Sequence, residues 1–122
     1  MLNWLVDGYE IIDVVDADNF FLHADTYHMN IEENNFYDPL VKFKDILDYI
    51  YLSESHRGLI GTGTVNWAEV FKGLAAADYS GPLVLKSFSA NNPDLIAAIR
   101  LWHLAEESPE FLATEGLKFL RG

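Results

Sequence analysis

The 122-residue sequence predicts an α/β fold in which about three parallel strands alternate with flanking helices. Two observations predict this fold. Apolar residues recur at helical spacing in several segments, and three short, almost continuously apolar runs lie between those segments. Strands of this kind, each separated from the next by a helix, are typical of a parallel sheet covered by helices. The pattern fits an open doubly wound sheet and part of a (βα) barrel equally well, in a single domain over residues 1–122.

Each element has a local signal in the sequence. Helices are expected over 2–15, 35–46, 66–78, 93–105 and 109–120, and strands over 20–24, 49–52 and 83–85. Asn66 followed by Glu69 has the form of a capping box, which opens a helix. Asn92-Pro93 and Ser108-Pro109 each place a polar cap before a proline, which suits the first turn of a helix.

The composition excludes several classes of function. A formal net charge of −11 disfavours general nucleic-acid binding, because the chain repels phosphate backbones. The absence of cysteine excludes disulfides and thiolate chemistry and fits a cytoplasmic protein. No apolar run approaches the roughly 18 residues of a membrane span, and no secretory signal is visible. A soluble protein without a membrane or nucleic-acid partner is therefore expected.

Polar side chains follow each predicted strand, at the edge where parallel sheets bind ligands. The first strand ends in Asp25, with His28 three residues later; these two could bind a divalent metal, although a capping role for Asp25 is the simpler interpretation. Arg57, after the second strand, could bind an oxyanion or a sugar hydroxyl, or pair with Glu54 or Glu32. Lys86, after the third, could form a Schiff base with a carbonyl substrate, but an ion pair is the favoured interpretation.

Glycines at 58, 61 and 63 follow the second strand. No Lys-Ser/Thr pair follows them and their spacing is not that of a P-loop, so a phosphate cradle is only weakly indicated. The glycines predict a close-packed loop instead.

Three segments carry a resemblance to a known family. Residues 25–33 read Asp-Thr-Tyr-His-Met-Asn-Ile-Glu-Glu, 51–58 read Tyr-Leu-Ser-Glu-Ser-His-Arg-Gly, and 81–89 read Gly-Pro-Leu-Val-Leu-Lys-Ser-Phe-Ser. In this order they resemble the C-terminal part of ketose 3-epimerases of the D-tagatose and D-psicose type, in the sugar phosphate isomerase/epimerase superfamily. The resemblance implies a partial, xylose isomerase-like TIM barrel. It also implies a ketose substrate and a manganese or magnesium ion that polarises its carbonyl.

The site implied by the resemblance is only partly present. Asp25 matches the family's metal aspartate, and His28 and Arg57 match residues that contact substrate oxygens. The metal histidine position falls on Tyr51. The position of the last metal glutamate, which is also a catalytic base, falls on Lys86. A neutral phenol and a cation are poor replacements for metal ligands, so we expect that the ion is not bound and that the chain alone is catalytically incomplete.

The number of strands predicts an assembly. A barrel needs roughly 250 residues and eight strands, whereas about three strands are expected here, and both outer strands would have unpaired edges. A homo-oligomer or a complex with a complementary barrel fragment is therefore expected. This supports a second hypothesis, a non-enzymatic partial-barrel module that assembles with itself or with another chain.

Overall fold

The computed structural model describes residues 4–88 and 108–122. In chain order its helices and strands are α1 (Leu5–Val15), β1 (Leu22–Asp25), α2 (Thr26–Glu32), α3 (Tyr37–Lys42), β2 (Leu47–Leu52), α4 (Trp67–Ala76), β3 (Leu83–Leu85) and α5 (Pro109–Arg121). The strands form one parallel sheet in the order β1-β2-β3. This confirms the predicted α/β class and agrees with a partial TIM barrel. The helix expected over 93–105 lies outside the described residues.

The segment between β1 and β2 differs from the sequence prediction. One helix was expected over 35–46, but α3 is only six residues long, and a further helix, α2, begins directly after β1. The Asp25 side chain accepts a hydrogen bond from the Tyr27 backbone N–H and caps α2, which has too few turns for a periodic apolar pattern. β2 begins earlier than expected, because the Leu22 N–H donates to the Ile46 carbonyl at 2.7 Å and extends the sheet.

The expected capping box at the start of α4 is only half formed. The Asn66 side chain accepts from the Glu69 N–H at 3.2 Å, as predicted. The Glu69 carboxylate instead accepts from the backbone N–H groups of Phe36 and Tyr37, at 3.0 and 3.3 Å. Glu69 therefore links the start of α4 to the start of α3, where the first N–H groups have no partner within their own helix.

The two faces of the sheet have different surroundings. The helix side holds the core, where Leu40, Ile50, Leu52 and Val70 are each at most 1% exposed. Because successive side chains of a strand alternate between faces, intervening positions such as His23, Tyr49 and Tyr51 lie on the other face and remain exposed or half-buried. In a closed barrel this second face would line the interior. Within the described residues, no helix is long and apolar enough to cross a membrane.

Candidate functional site

An ion pair joins the carboxyl ends of the two outer strands. Asp25 ends β1, and Lys86 directly follows β3. Lys86 Nζ donates to Asp25 Oδ2 at 2.9 Å, and the two side chains are 28% and 11% exposed, respectively. Asp25 Oδ1 accepts from the Tyr27 N–H at 2.9 Å. One carboxylate therefore caps α2 and neutralises the lysine, which agrees with the ion pair favoured from the sequence.

An aromatic cluster lies beside this ion pair on the uncovered face of the sheet. Tyr51 is the register partner of Asp25, and its ring centroid lies 5.0 Å from Lys86 Nζ. The His23 ring packs edge-to-face against Tyr51 and Tyr49, with centroid distances of 4.4 and 4.9 Å. Burial lowers the pKa of His23; the Asp25 carboxylate opposes this shift and the Lys86 ammonium adds to it. His23 is therefore part of an aromatic surface at the site.

Arg57 lies in the loop after β2, with its guanidinium close to two aromatic rings. Its Cζ atom is 3.9 Å from the Tyr27 ring centroid and 5.5 Å from that of Phe88. Its backbone is in the left-handed region, with φ 59°. The ion pair with Glu54 or Glu32 that was one interpretation of the sequence is absent from the described residues, where the only two salt bridges join Lys86 to Asp25 and Lys118 to Glu115.

Glu54 is a buried carboxylate whose role the sequence patterns did not reveal. It is 0% exposed. Its Oε1 accepts from the N–H groups of Ser55 and Val65, at 2.8 and 3.0 Å. Its Oε2 accepts from the Gly61 N–H at 2.9 Å and from the Trp67 indole N–H at 2.7 Å. The available signal was a single acidic residue just after an apolar strand, and this pattern is also common at exposed positions.

The hydrogen bonds to Glu54 outweigh the cost of burying it. Burial alone would raise the pKa of the Glu54 carboxyl, but the four N–H donors stabilise its charged form and hold the pKa below its ordinary value of 4.5. Glu54 therefore stays ionised at neutral pH. Its charge organises the loop from Ser55 to Val65 and is already fully hydrogen-bonded.

The glycine-containing loop is close-packed, as predicted. Gly61 has φ +88°, and a Cβ added there would lie 2.6 Å from the Phe119 ring. The Gly61 N–H points to the Glu54 carboxylate. Because that N–H already donates to Glu54, it is not free to bind a phosphate, as the N–H groups of a phosphate cradle are.

His28 lies in α2, next to the ion pair but outside it. Its ring packs edge-to-face on Tyr27 with a centroid distance of 5.0 Å, and its side chain is exposed. His28, His23 and Asp25 all line one cleft between α1 and β1. The structure therefore brings His28, Asp25, Arg57 and Lys86 to one end of the sheet.

These residues do not fit the divalent metal that the family resemblance implies. No group of three or more His, Cys, Asp or Glu side chains that could hold a metal is present within residues 4–88 and 108–122. The Lys86 ammonium occupies Asp25 Oδ2 at 2.9 Å, and Tyr51 stands at the strand position opposite Asp25. The Lys86 ammonium repels a divalent cation. It also occupies an Asp25 oxygen that manganese or magnesium would need as a ligand.

The fold and the position of the site define a class of protein, an α/β chain of the barrel type with polar groups at the carboxyl ends of its strands. The family model described as "Xylose isomerase-like TIM barrel" matches residues 5–122. The chain therefore belongs to the xylose isomerase-like TIM barrel family, as the sequence segments indicated.

Individual relatives cover the chain almost completely, but the chain covers less than half of them. The L-ribulose 3-epimerase of Methylomonas sp. (strain DH-1) is 38% identical over 99% of this chain and 43% of its own length. The ketose 3-epimerase of Arthrobacter globiformis is 37% identical over 90% of this chain and 39% of its own length. The crystal structure of the Methylomonas sp. D-allulose 3-epimerase in complex with D-allulose superimposes with a TM-score of 0.90 at 38% identity, over 98% of this chain and 42% of that one.

Proposed function

We propose that this chain forms the carboxyl-terminal part of a ketose-binding site of the 3-epimerase type. The observation that carries the proposal is the convergence of Asp25, His28 and Arg57 at the carboxyl ends of β1 and β2. These are the residues that the family resemblance assigns to metal and substrate contacts. Relatives named as ketose and L-ribulose 3-epimerases align with the chain and support a ketose as the ligand.

In this proposal the chain binds a ketose without epimerising it on its own. Epimerisation needs a base to remove a proton from the carbon beside the carbonyl. Lys86 occupies the position of the family's catalytic glutamate. Its ammonium group, hydrogen-bonded to the Asp25 carboxylate, has no lone pair that could accept this proton. Manganese or magnesium would polarise the carbonyl in a family member that holds it, but the residues present here do not fit that ion. Asp25, His28 and Arg57 therefore orient the sugar by hydrogen bonding.

Two NMR measurements test these statements separately. Titration with a ketohexose in the ¹⁵N-labelled chain should shift the side-chain signals of Arg57 and His28 and leave that of Arg121 unchanged, since Arg121 is exposed at the end of α5. No shift at Arg57 or His28 would overturn the ketose site. In D₂O with added manganese, the ketose should not exchange its C3 proton. Exchange that disappears in Asp25→Asn would show that the chain is an active epimerase.

A specific observation also supports the second candidate function, a partial-barrel module that assembles. Within the described residues β1 and β3 each pair with one strand only, so each has an open edge. Apolar side chains at the end of α1 and just before β1 are exposed: Val14 is 85%, Val15 51% and Phe21 50% exposed. The curated relatives named above are more than twice as long as this chain. In this second proposal a second copy or a complementary barrel fragment covers the open edge of β1.

The assembly has a direct test in solution. Sedimentation at micromolar concentration should show a dimer or larger species, and Val14→Lys should shift the distribution towards the monomer, because a charge is costly to bury at an apolar contact. Ile31→Lys is the matched control: Ile31 is 60% exposed on α2, near the opposite end of β1. A folded wild-type monomer, or equal effects of the two variants, would contradict the assembly at this edge.

A further inference from the structure

The charges at the strand ends leave one cation without a partner. The Lys86 ammonium is neutralised by Asp25 at 2.9 Å. Arg57 has no ion pair within the described residues, and the nearby Glu54 directs its oxygens to four other N–H groups. The Lys86 and Arg57 cations both face the Phe88 ring, at 5.7 and 5.5 Å from its centroid. The cluster of Asp25, Lys86 and Arg57 therefore carries one net positive charge, in a chain whose formal net charge is −11.

The Arg57 side chain is held in place, yet one of its donors is unused. Its Nε is buried and has no hydrogen-bond partner within the described residues. Buried donors without a partner are rare in folded proteins, and leaving one unpaired costs free energy. The guanidinium stacks on the Tyr27 ring at 3.9 Å, which restricts its orientation.

The backbone also fixes the position of Arg57. Its φ of 59° is a left-handed conformation that non-glycine residues adopt infrequently and that is common at functional sites. Two backbone hydrogen bonds hold it there: the Arg57 N–H donates to the Glu54 carbonyl at 2.9 Å, and the Phe88 N–H donates to the Arg57 carbonyl at 2.7 Å. Fixed geometry and an unpaired charge together indicate a ligand group of opposite charge.

We infer that Arg57 binds the anionic group of a sugar ligand, and that this group is a carboxylate. A guanidinium is planar and suits the two oxygens of a carboxylate. Asp25, Lys86 and Arg57 together carry one net positive charge, and the ionised Glu54 carboxylate lies nearby. The site therefore favours a monoanion over a phosphate dianion. This inference rests on the proposed ketose site and names its substrate class, a ketose that carries a carboxylate.

Calorimetry with three matched ligands tests the inference. They are a neutral ketohexose, its derivative oxidised to a carboxylate at C6, and its 6-phosphate. The carboxylate should bind about tenfold or more tightly than the neutral sugar, as expected for one charge-assisted hydrogen bond. The phosphate should bind no more tightly than the carboxylate. Because the chain as a whole repels anions, a preference for the anion requires a local cation. Equal binding of the neutral sugar and the carboxylate, tighter binding of the phosphate, or no binding at all would each overturn the inference.

Two variants assign the preference to Arg57. Arg57→Gln should abolish the preference for the carboxylate over the neutral sugar, even where the loss of the Arg57 hydrogen bonds weakens the binding of both sugars. Arg121→Gln removes the same charge from an exposed position on α5 and should leave the preference intact. An unchanged preference in Arg57→Gln would refute the role of Arg57. If this variant does not fold, the comparison of the three ligands on the wild-type chain still decides the charge preference.

A fourth ligand separates this inference from the proposed ketose site. It is the six-carbon aldonate obtained when the ketone of the ketose carboxylate is reduced to a hydroxyl group, so that it keeps the carboxylate but lacks the ketone. If it binds as tightly as the ketose carboxylate, the anion site stands and ketose recognition fails. If neutral ketose and ketose carboxylate bind equally and more tightly than the aldonate, ketose recognition stands and the anion site fails.

Discussion

The Asp25–Lys86 ion pair should contribute measurably to the stability of the fold. The side chains are 11% and 28% exposed, and their charged atoms lie 2.9 Å apart. Exposed pairs contribute about 1 kcal/mol or less, whereas breaking a buried pair costs about 3–5 kcal/mol. This pair lies between those limits, so we expect a coupling free energy of about 1–2 kcal/mol. Removal of one partner should cost at least as much, since it leaves the other charge partly buried.

The choice of variants isolates the charge. Lys86→Met keeps most of the hydrocarbon stem of the side chain and removes the ammonium group, which lies 5.0 Å from the Tyr51 ring centroid. Asp25→Asn keeps a side-chain oxygen to accept from the Tyr27 N–H, so that the cap of α2 is retained. Asp25→Ala would lose that cap as well as the charge.

Urea denaturation at pH 7 and constant protein concentration gives the four free energies of the double-mutant cycle. Lys86→Met should destabilise the chain, and adding Asp25→Asn should recover part of the loss. Lys86→Glu should be worse than Lys86→Met, because it places two carboxylates together. The exposed Lys118–Glu115 pair on α5, 2.7 Å apart and 68% and 35% exposed, is the control and should couple by less than about 0.5 kcal/mol. A coupling for Asp25–Lys86 no larger than the control would refute the expected contribution of this ion pair to stability.

Two further predictions concern the loop and the metal position. Glu54→Gln should destabilise the chain by about 2–4 kcal/mol, because an amide cannot accept all four N–H groups, while the exposed Glu110→Gln should have little effect. The pKa of Glu54 is lower in the folded state than in the unfolded state. The stability that ionised Glu54 gives to the fold is therefore complete above the unfolded value of 4.5 and is lost as pH falls through the folded pKa. A wild-type acid unfolding curve that superimposes on that of Glu54→Gln would contradict this. The double variant Tyr51→His/Lys86→Glu should gain manganese binding by calorimetry that wild type lacks and that Asp25→Asn abolishes. Tight manganese binding by the wild-type chain would show that Lys86 does not exclude the ion.

The part of the site that could be predicted from sequence consists of residues next to a strand end. Asp25 and Lys86 each follow a short apolar run, and parallel strands bring such positions to one edge of the sheet. Their convergence therefore required only the order of the elements and the family resemblance. The roles of Asp25, His28, Arg57 and Lys86 towards a ligand stay predictions.

The residues that were misjudged depend on partners distant in sequence. Glu69 was assigned to its own helix, but its carboxylate caps α3, more than thirty positions earlier in the chain. An ion pair with an acidic neighbour was one of two interpretations for Arg57, and its guanidinium instead lies close to the rings of Tyr27 and Phe88. No local pattern distinguishes these alternatives, because each is decided by which segment packs against the loop.

The sequence by itself determined the order of the three strands and of α1, α3, α4 and α5, since apolar periodicity and caps are properties of contiguous residues. It missed α2, which is too short to show a periodic pattern. It also indicated the family, through three segments that occur in the family's order, and the family model matches residues 5–122. The tertiary structure alone decided that Glu54 is buried under four N–H donors and that Arg57 keeps an unused one. The physical reason is that burial and hydrogen-bond satisfaction are set by atoms that come together only when the chain folds.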